Sequence, residues 1–390
     1  MSAKKLFDNT EIAFALKSDS ELERAYFLFK MISIEPLVKI GTAATNFALK
    51  AKLPIEGLIR ATVFDHFCGG VNEKDCLPVI DKMYQKGVSS VLDYSVEGKE
   101  NEQEFDSAKD IILRIMNFSK EIKAMPIAVF KPTGFGRLSL YEKVGKGEAL
   151  TSEERSEWSR VEARFDAVCK RAQDNNIEVL IDAEESWMQD AADALVTKMM
   201  QKYNTQKAVV FNTLQMYRHD RLAFMKKEHE KAKNEGYFLG YKFVRGAYME
   251  KENERAEKRG YTSPICPNKA ATDENFNEGL RYAADHIDTI SIFNGTHNEE
   301  SSYLLMDLME SKGIAKNDSR IWFGQLYGMS DNISYNLAAE GYNVAKYMPF
   351  GPVKDVMPYL IRRAEENTSV AGQTGRELML IEREKKRRKS

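Results

Sequence analysis

The chain has 390 residues, of which 43% are apolar and 30% are charged, and its formal net charge at pH 7 is −2. This composition is that of a globular protein with a sizeable core, and the small net charge gives no overall reason to expect nucleic acid as a partner. No apolar run approaches the roughly 18 residues that a membrane span requires.

The cysteines and the N-terminus indicate in which cellular compartment the protein is expected. The four cysteines are scattered and include no Cys-x-x-Cys pair, which argues against a disulfide framework and a structural zinc site. Basic residues near Met1 are not followed by an apolar segment, so the pattern of a signal peptide is absent. We therefore expect a cytoplasmic protein, or a peripheral one at the inner face of a membrane.

The first 86 residues have a helical pattern. Apolar residues recur at threes and fours, first from Leu22 to Met31 and again from Phe47 to Leu58. No alternating strand pattern interrupts them. We expect residues 1–86 to form a helical N-terminal arm.

From Gly87 onward, short apolar runs alternate with longer amphipathic segments. The short runs are rich in β-branched and aromatic residues and are bounded by polar residues, Gly or Pro, as strands are. Eight strands, each followed by a helix, predict a (β/α)₈ TIM-type barrel, and a doubly wound open sheet is the alternative. The predicted strands are 88–94, 127–133, 178–183, 208–215, 241–247, 289–295, 320–326 and 344–350.

The predicted helices fill the intervals between these strands. Together they define a barrel domain over residues 87–370, and the segment 141–151 is expected to be an exposed loop. A charged tail follows at 371–390, and its basic run 385–389 could contact anionic lipid or nucleic acid, although such terminal runs are more often solvated and frayed. The predicted helices are 99–123, 152–175, 187–203, 217–235, 270–286, 299–313, 330–340 and 353–367.

Polar side chains follow the predicted strands, where the active site of a barrel enzyme lies. A single polar residue at a strand end is usually a cap, but eight strands that all end in this way favour an active site. The strand-end residues include Asp93, Lys131, Asp182, Gln215, Arg245, His297, Gln325 and Tyr347.

Several common chemistries are disfavoured by absent motifs. Only one of the five histidines lies at a strand end, and neither His-x-His nor H-E-x-x-H spacing occurs, so we expect no catalytic metal. The G-x-S-x-G elbow of serine hydrolases is missing, and Gly134-Phe-Gly136 lacks the third glycine of a dinucleotide fingerprint. What remains is a predicted barrel opening that is rich in lysine and arginine. Such an opening suits a small carboxylate and a phosphate-bearing cofactor.

One helix face near the C-terminus could bind such a carboxylate. Tyr359, Arg362, Arg363 and Glu366 occur at i, i+3, i+4 and i+7, so they share a face if residues 353–367 are helical. Two guanidinium groups on one stripe can hold a carboxylate bidentately. The alternative is an exposed, salt-bridged surface.

These motifs resemble the proline dehydrogenases, the flavin-dependent enzymes that occur alone or as one domain of bifunctional proline utilization proteins. The most specific match is Y-M-P-F-G-x7-Y-L-I-R-R-A-E-E-N at 347–367. It is supported by I-D-A-E-E (181–185), V-R-G-A-Y (244–248), G-T-H-N (295–298) and the K-P-T strand end. The resemblance spans about residues 88–367 in the right order.

The resemblance implies an FAD-dependent enzyme that oxidises L-proline to Δ1-pyrroline-5-carboxylate by hydride transfer from C5 to flavin N5. The electrons would pass to a quinone, which fits a protein with peripheral membrane contact. Asp182 and Tyr248 correspond to residues implicated in catalysis. Arg362 and Arg363 would hold the proline carboxylate with Lys131 alongside, and the proline ring would be walled by Tyr347, Tyr359 and Leu326.

The resemblance also implies the cofactor-binding positions. Gln215 would face the pyrimidine edge of the flavin and Lys242 would lie near N5. Many members have Arg in place of Lys242 and Lys in place of Arg245, a swap that keeps the charge but changes the hydrogen-bond geometry. The other implied cofactor contacts are Ala183, Arg245, Gly246, Ala247, Thr296 and His297.

Two other function classes remain open from the residues themselves. A barrel aldolase, lyase or phosphate-binding hydrolase could use Lys131 as its nucleophile, although a Schiff-base lysine needs an apolar site and cations surround this one. A non-catalytic, partner-binding barrel would bind no flavin and would be colourless.

Overall fold

The computed structural model describes residues 3–34, 36–38, 41–43, 56–94, 100–369 and 373–390. Eight strands close a barrel in the order of the chain, and neighbouring strands are parallel. The predicted (β/α)₈ fold is thus confirmed, and the open sheet is excluded by the pairing of the first strand with the last. The strands are β1 (Val88–Tyr94), β2 (Ile127–Phe130), β3 (Glu178–Ile181), β4 (Val210–Gln215), β5 (Leu239–Val244), β6 (Ile290–Gly295), β7 (Ile321–Leu326) and β8 (Val344–Phe350).

The helices lie between the strands, in the predicted intervals, and three further helices were not predicted. Local signals set their starts: Thr151 and Glu154 form a reciprocal capping box, and Asn101 and Asn268 cap the first turns of their helices. The helices are α1 (Thr10–Ala13), α2 (Asp19–Ile32), α3 (Glu56–Ile59), α4 (Asp65–Phe67), α5 (Glu73–Tyr84), α6 (Glu102–Ser119), α7 (Leu138–Gly145), α8 (Ser152–Asn175), α9 (Ser186–Tyr203), α10 (Arg221–Glu235), α11 (Met249–Arg259), α12 (Lys269–Asp285), α13 (Glu299–Ser311), α14 (Asp331–Ala339), α15 (Val353–Ser369) and α16 (Gln373–Arg387).

The predicted loop at 141–151 is wrong over its first five residues, which belong to α7. Tyr141 is fully buried, and its hydroxyl donates to the carbonyl oxygen of Pro132 at 2.8 Å. The eight-residue helix is too short to show clear periodicity. Helices α11 and α16 were likewise not predicted: α11 is almost entirely polar and charged, and the apolar residues of α16 are confined to one short run within a charged segment.

The chain divides into two compact units. Residues 98–324, the central unit, contain β2 to β6 and the larger part of β7. Residues 1–97 together with 325–390, the terminal unit, contain the N-terminal helices, β1, β8 and α14 to α16. The apolar pattern predicted between Phe47 and Ile55 lies outside the described residues.

In the terminal unit, the two ends of the chain pack together. Phe14, Leu22 and Phe29 share a buried cluster with Leu380 and Ile381 of α16. Burial of these large apolar side chains stabilises the N-terminal arm as part of the unit.

The basic run at the C-terminus is not a frayed end. Lys385 pairs with Glu23 at 2.7 Å, and Arg388 pairs with Asp19 at 2.8 Å. Glu384, which is fully buried, accepts hydrogen bonds from Arg387 and Arg388. Much of the basic charge is therefore balanced within the unit. Among the described residues, no helix has the length and hydropathy needed to cross a membrane.

Candidate active site

Three residues at the carboxyl ends of central-unit strands form a charged cluster, here called the rim triad: Lys131, Asp182 and Lys242. The Nζ atom of Lys131 lies 3.4 Å from Oδ2 of Asp182, and Nζ of Lys242 donates to Oδ1. Lys131 and Asp182 directly follow β2 and β3, which are paired in parallel, and Lys242 reaches Asp182 from β5. The side chains of Lys131 and Asp182 are 16% exposed, so the cluster is accessible to a small molecule.

The rim triad keeps its carboxylate ionised. Burial alone would raise the pKa of Asp182, but the ammonium groups of Lys242 and Lys131 hold that pKa below its ordinary value. Two ammonium groups and one carboxylate leave a formal excess of one positive charge. Such a cluster can orient an anionic or electron-rich group at the barrel rim.

A second carboxylate ties the neighbouring strand ends together. The backbone N–H and the hydroxyl of Thr133 donate to Glu184 at 2.9 and 2.6 Å, and Gln189 accepts from the Glu184 N–H. Burial raises the pKa of Glu184 to about 7. The sequence marked K-P-T and I-D-A-E-E as strand ends, but it did not indicate that Glu184 links them. This link holds Lys131 and Asp182 in place.

Arg245 lies in a second polar group of the central unit. Its guanidinium donates to Asp273 at 2.7 Å, to the Thr296 hydroxyl at 2.8 Å and to the Ser301 hydroxyl at 3.0 Å, and it stacks 4.4 Å from the centre of the Phe276 ring. The structure thus brings together Arg245 and Thr296, which the sequence singled out. Their partners were not predicted, because they lie on helices α12 and α13 rather than at strand ends.

Two features of the central unit bear on a bound cofactor. Gln215, at the end of β4, is 2% exposed, and its side-chain oxygen accepts no hydrogen bond from any described residue. Gly246 has φ +126°, and a Cβ atom there would lie 2.4 Å from the Tyr217 ring, so only glycine fits. An unsatisfied buried acceptor is a feature of a cofactor-binding surface, whereas the glycine at 246 is required by its packing against Tyr217.

The other predicted central-unit residues lie in loops beside these groups. Tyr248 directly precedes α11, and His297 directly precedes Asn298, the cap of α13; both are half-buried, as is Ala183. Glu252 of α11, which is fully buried, accepts from the N–H and the hydroxyl of Ser186, each at 2.6 Å. This unpredicted contact anchors the helix that follows Tyr248 to the segment that follows Asp182.

The predicted carboxylate-binding face belongs to α15 in the terminal unit. Arg363 is 9% exposed, its guanidinium lies 5.2 Å from the centre of the Tyr359 ring, and Tyr359 is buried. Arg362 is half-buried. At Arg363 and Tyr359 this face is therefore buried rather than exposed. The side chain of Glu366 lies outside the described part of the chain.

The two remaining predicted residues also lie in the terminal unit. Tyr347 is buried on β8, and Leu326, the last residue of β7, is half-buried. Leu326 packs against the apolar cluster that contains Tyr359 and Val356. Leu326 and Tyr359 can thus contribute to one apolar surface.

Known proteins resemble this chain over most of its length. A sequence model of the family described as proline dehydrogenase matches residues 76–376. The carbapenem antibiotics biosynthesis protein CarD of Pectobacterium carotovorum subsp. carotovorum is 35% identical over 333 residues, which cover 85% of this chain and 86% of that protein. Mitochondrial proline dehydrogenase 2 of Arabidopsis thaliana is 31% identical over 425 residues, with 96% and 89% covered.

A solved structure agrees in fold. Proline utilization A of Bdellovibrio bacteriovorus, inactivated by N-propargylglycine, superimposes with a TM-score of 0.69 at 20% identity. The match covers 94% of this chain but 37% of that protein, so the chain spans little more than a third of its length. Taken with the family match over residues 76–376, the chain belongs to the proline dehydrogenase family.

Proposed function

We propose that the protein is an FAD-dependent proline dehydrogenase that converts L-proline to Δ1-pyrroline-5-carboxylate and passes the electrons to a quinone, the first step of proline catabolism. Membership of a flavin-dependent family supports the reaction class. The observation that carries the assignment of the site is the rim triad, in which an ionised carboxylate lies between two ammonium groups at the strand ends.

The substrate carboxylate is assigned to the arginine pair. Arg362 and Arg363 offer planar donors that bind a carboxylate bidentately, and Lys131 adds a further positive charge. The burial of Arg363 against Tyr359 supports this role, because a charge-assisted bond gains strength where water is excluded. Tyr347, Tyr359 and Leu326 would enclose the apolar ring of proline.

The cofactor is assigned to the central unit. The side-chain oxygen of Gln215 suits the N–H at the pyrimidine edge of a flavin. Bound FAD supplies the acceptor for the hydride that leaves proline C5. The residues that would hold FAD are Ala183, Gln215, Lys242, Arg245, Gly246, Ala247, Thr296 and His297.

The chain's own groups then have distinct tasks. Because the pKa of Asp182 is held low, this carboxylate is a weak base at neutral pH, and its role is to fix the two ammonium groups of the rim triad. The proline nitrogen must be deprotonated before C5 loses its hydride, since its lone pair forms the new C=N bond. Orientation of the substrate by the arginine pair lowers the barrier further, and Tyr248 is assigned a catalytic role.

We also propose a cytoplasmic location with access to a membrane-borne quinone. Lys385, Arg387 and Arg388 already pair with acidic side chains, so the basic C-terminal run contributes little free charge for a lipid contact. A quinone site elsewhere on the surface is the arrangement that this pairing favours.

Anaerobic titration of the purified protein tests the proposal. The protein should carry non-covalent FAD, and proline should bleach the oxidised flavin absorbance. Arg363→Met is the matched variant: it should retain FAD but require about tenfold to a hundredfold more proline, because a charge-assisted bond is lost. A flavin that is bound but not bleached by proline would overturn the substrate, and a protein that cannot bind added FAD would overturn the cofactor.

A further inference from the structure

The loop after β7 adopts an unfavourable backbone conformation. This loop, residues 327–330, follows Leu326, the last residue of β7, and ends at Ser330, which directly precedes α14. Gly328 has φ +80° and Ser330 has φ +51°, which is rare for a residue with a side chain. A strained conformation of this kind persists only where the surroundings hold it.

Buried contacts fix each peptide group of the loop. The N–H of Tyr327 donates to the carbonyl oxygen of Tyr347 at 2.7 Å, and Nε2 of His66 lies 3.0 Å from the carbonyl oxygen of Gly328. Lys346, which is fully buried, donates to the carbonyl oxygen of Met329 at 2.6 Å.

The last contact comes from the C-terminal helix. Glu377 of α16 accepts a hydrogen bond from the N–H of Ser330, the residue with the strained backbone. Glu377 is 5% exposed, and the charged groups around it are Asp331, Lys346 and Lys17. The pKa of Glu377 is raised to about 7 by burial, so near neutral pH the carboxyl group can serve as a hydrogen-bond acceptor without a full negative charge.

We infer that Glu377 is a positioning residue for substrate binding: it holds Ser330, and through the rigid loop it fixes Leu326 against the cluster that contains Tyr359. This inference rests on the proposed function, because Leu326 is assigned to the wall around proline. The C-terminal helix thereby contributes to substrate affinity without touching substrate. The hydrogen-bond acceptor, rather than the charge, is what the loop requires.

Three substitutions of Glu377 separate the role of its hydrogen-bond acceptor from that of its charge. Glu377→Leu removes the acceptor and should raise the KM for proline and the Kd for tetrahydro-2-furoate about tenfold, with kcat and flavin content close to wild type. Glu377→Gln keeps an acceptor and should restore both constants to within about twofold. Glu377→Asp retains the carboxyl group but is one methylene shorter, so it should fall between them and carries the test if the leucine variant does not fold.

Glu384→Leu is the control for general damage to α16. Glu384 is also fully buried on this helix, but its carboxylate binds Arg387 and Arg388 rather than the loop. The control should lower the melting temperature and leave the KM unchanged. Equal KM values for the Glu377 and Glu384 variants would overturn the inference, as would a KM for Glu377→Gln as high as that for Glu377→Leu.

Hydrogen exchange distinguishes failure of this inference from failure of the proposed function. In Glu377→Leu, the amide of Ser330 should exchange faster than in wild type, whereas Glu384→Leu should leave it protected. Unchanged protection of Ser330 in Glu377→Leu would overturn the positioning role whatever the substrate. Faster exchange in a protein whose flavin is not bleached by proline would instead refute the assigned substrate.

Discussion

Two clusters in this protein each consist of two lysines and one aspartate, yet they serve different purposes. In the rim triad of the central unit, Asp182 lies between Lys131 and Lys242. In the terminal unit, Asp331 lies between Lys17 at 3.1 Å and Lys346 at 2.7 Å, a cluster we call the anchor triad. Neighbouring lysines hold the pKa of both aspartates below the ordinary value.

The difference lies in what surrounds each triad. Lys346 is fully buried and also donates to the carbonyl oxygen of Met329, and Glu377 lies nearby as a second acid. In the rim triad, the side chains of Lys131 and Asp182 are each 16% exposed, and no atom of Lys346 in the anchor triad is exposed. A Lys–Asp–Lys cluster is therefore structural where a fully buried lysine also fixes a backbone loop, and is suited to a ligand where its side chains reach the surface of the barrel rim.

The largest expected contrast is in stability. Asp331→Asn should lower the free energy of unfolding by about 3–5 kcal/mol, because it leaves the fully buried ammonium group of Lys346 without its carboxylate. Asp182→Asn should cost less than about 2 kcal/mol, since solvent can reach the rim triad. Urea unfolding of both variants measures the difference, and equal losses would remove the distinction between the triads.

The next contrast is in catalysis. Asp182→Asn should lower kcat about a hundredfold, equivalent to about 2.7 kcal/mol in the barrier, because the two ammonium groups lose their fixed positions. Asp331→Asn should leave kcat per folded molecule within about twofold, since the anchor triad does not touch the reacting atoms. Stopped-flow reduction of the flavin by saturating proline measures this step, and flavin content serves as the control.

The rim triad can also be divided into its two lysines. Lys131→Ala should weaken tetrahydro-2-furoate binding by about tenfold or more, and should barely change the flavin reduction potential, if Lys131 faces the substrate. Lys242→Ala should do the reverse and lower the potential, because a cation near the flavin favours the electron-rich form. Inhibitor titration and potentiometry test both variants. Identical effects would show that the shared Asp182 couples the two lysines too tightly for separate roles.

The sequence predicted the barrel because its strands are buried and their side chains are locally patterned. The predicted runs around β2, β3 and β5 continue two or three residues past the ends of the strands, into segments whose side chains, such as those of Lys131 and Asp182, form contacts at the rim. The family motifs then indicated the roles of individual residues.

Long-range partners could not be predicted from the sequence. Glu377 and Ser330 are 47 residues apart, and Glu184 reaches Thr133 across 51 residues, so no local spacing joins them. Lys346, inside β8, was not singled out from the sequence at all. Only their surroundings in the folded protein show that Lys346 has a structural role and that Lys131 lies at the rim of the barrel.

The smallest expected effect compares the acids beside the two triads. Burial raises the pKa of Glu377, beside the anchor triad, and of Glu184, near the rim triad, to about 7 in each case. Between the unfolded value of 4.5 and about 7, the folded state therefore binds more protons than the unfolded state. Each carboxyl group makes stability fall as pH rises through this window, and its contribution is constant above it.

Glu377→Gln and Glu184→Gln should each remove one part of this pH dependence. One pKa unit corresponds to about 1.4 kcal/mol, so we expect each variant to lessen the loss of stability between pH 5 and 8 by at least about 1 kcal/mol. The difference between variant and wild type isolates one carboxyl group, because His66, whose pKa burial lowers to about 3, titrates equally in both. Urea unfolding across this pH range provides the measurement. Parallel curves for a variant and wild type would show that its carboxyl group is ionised throughout, and would place that acid among the charges that balance its triad.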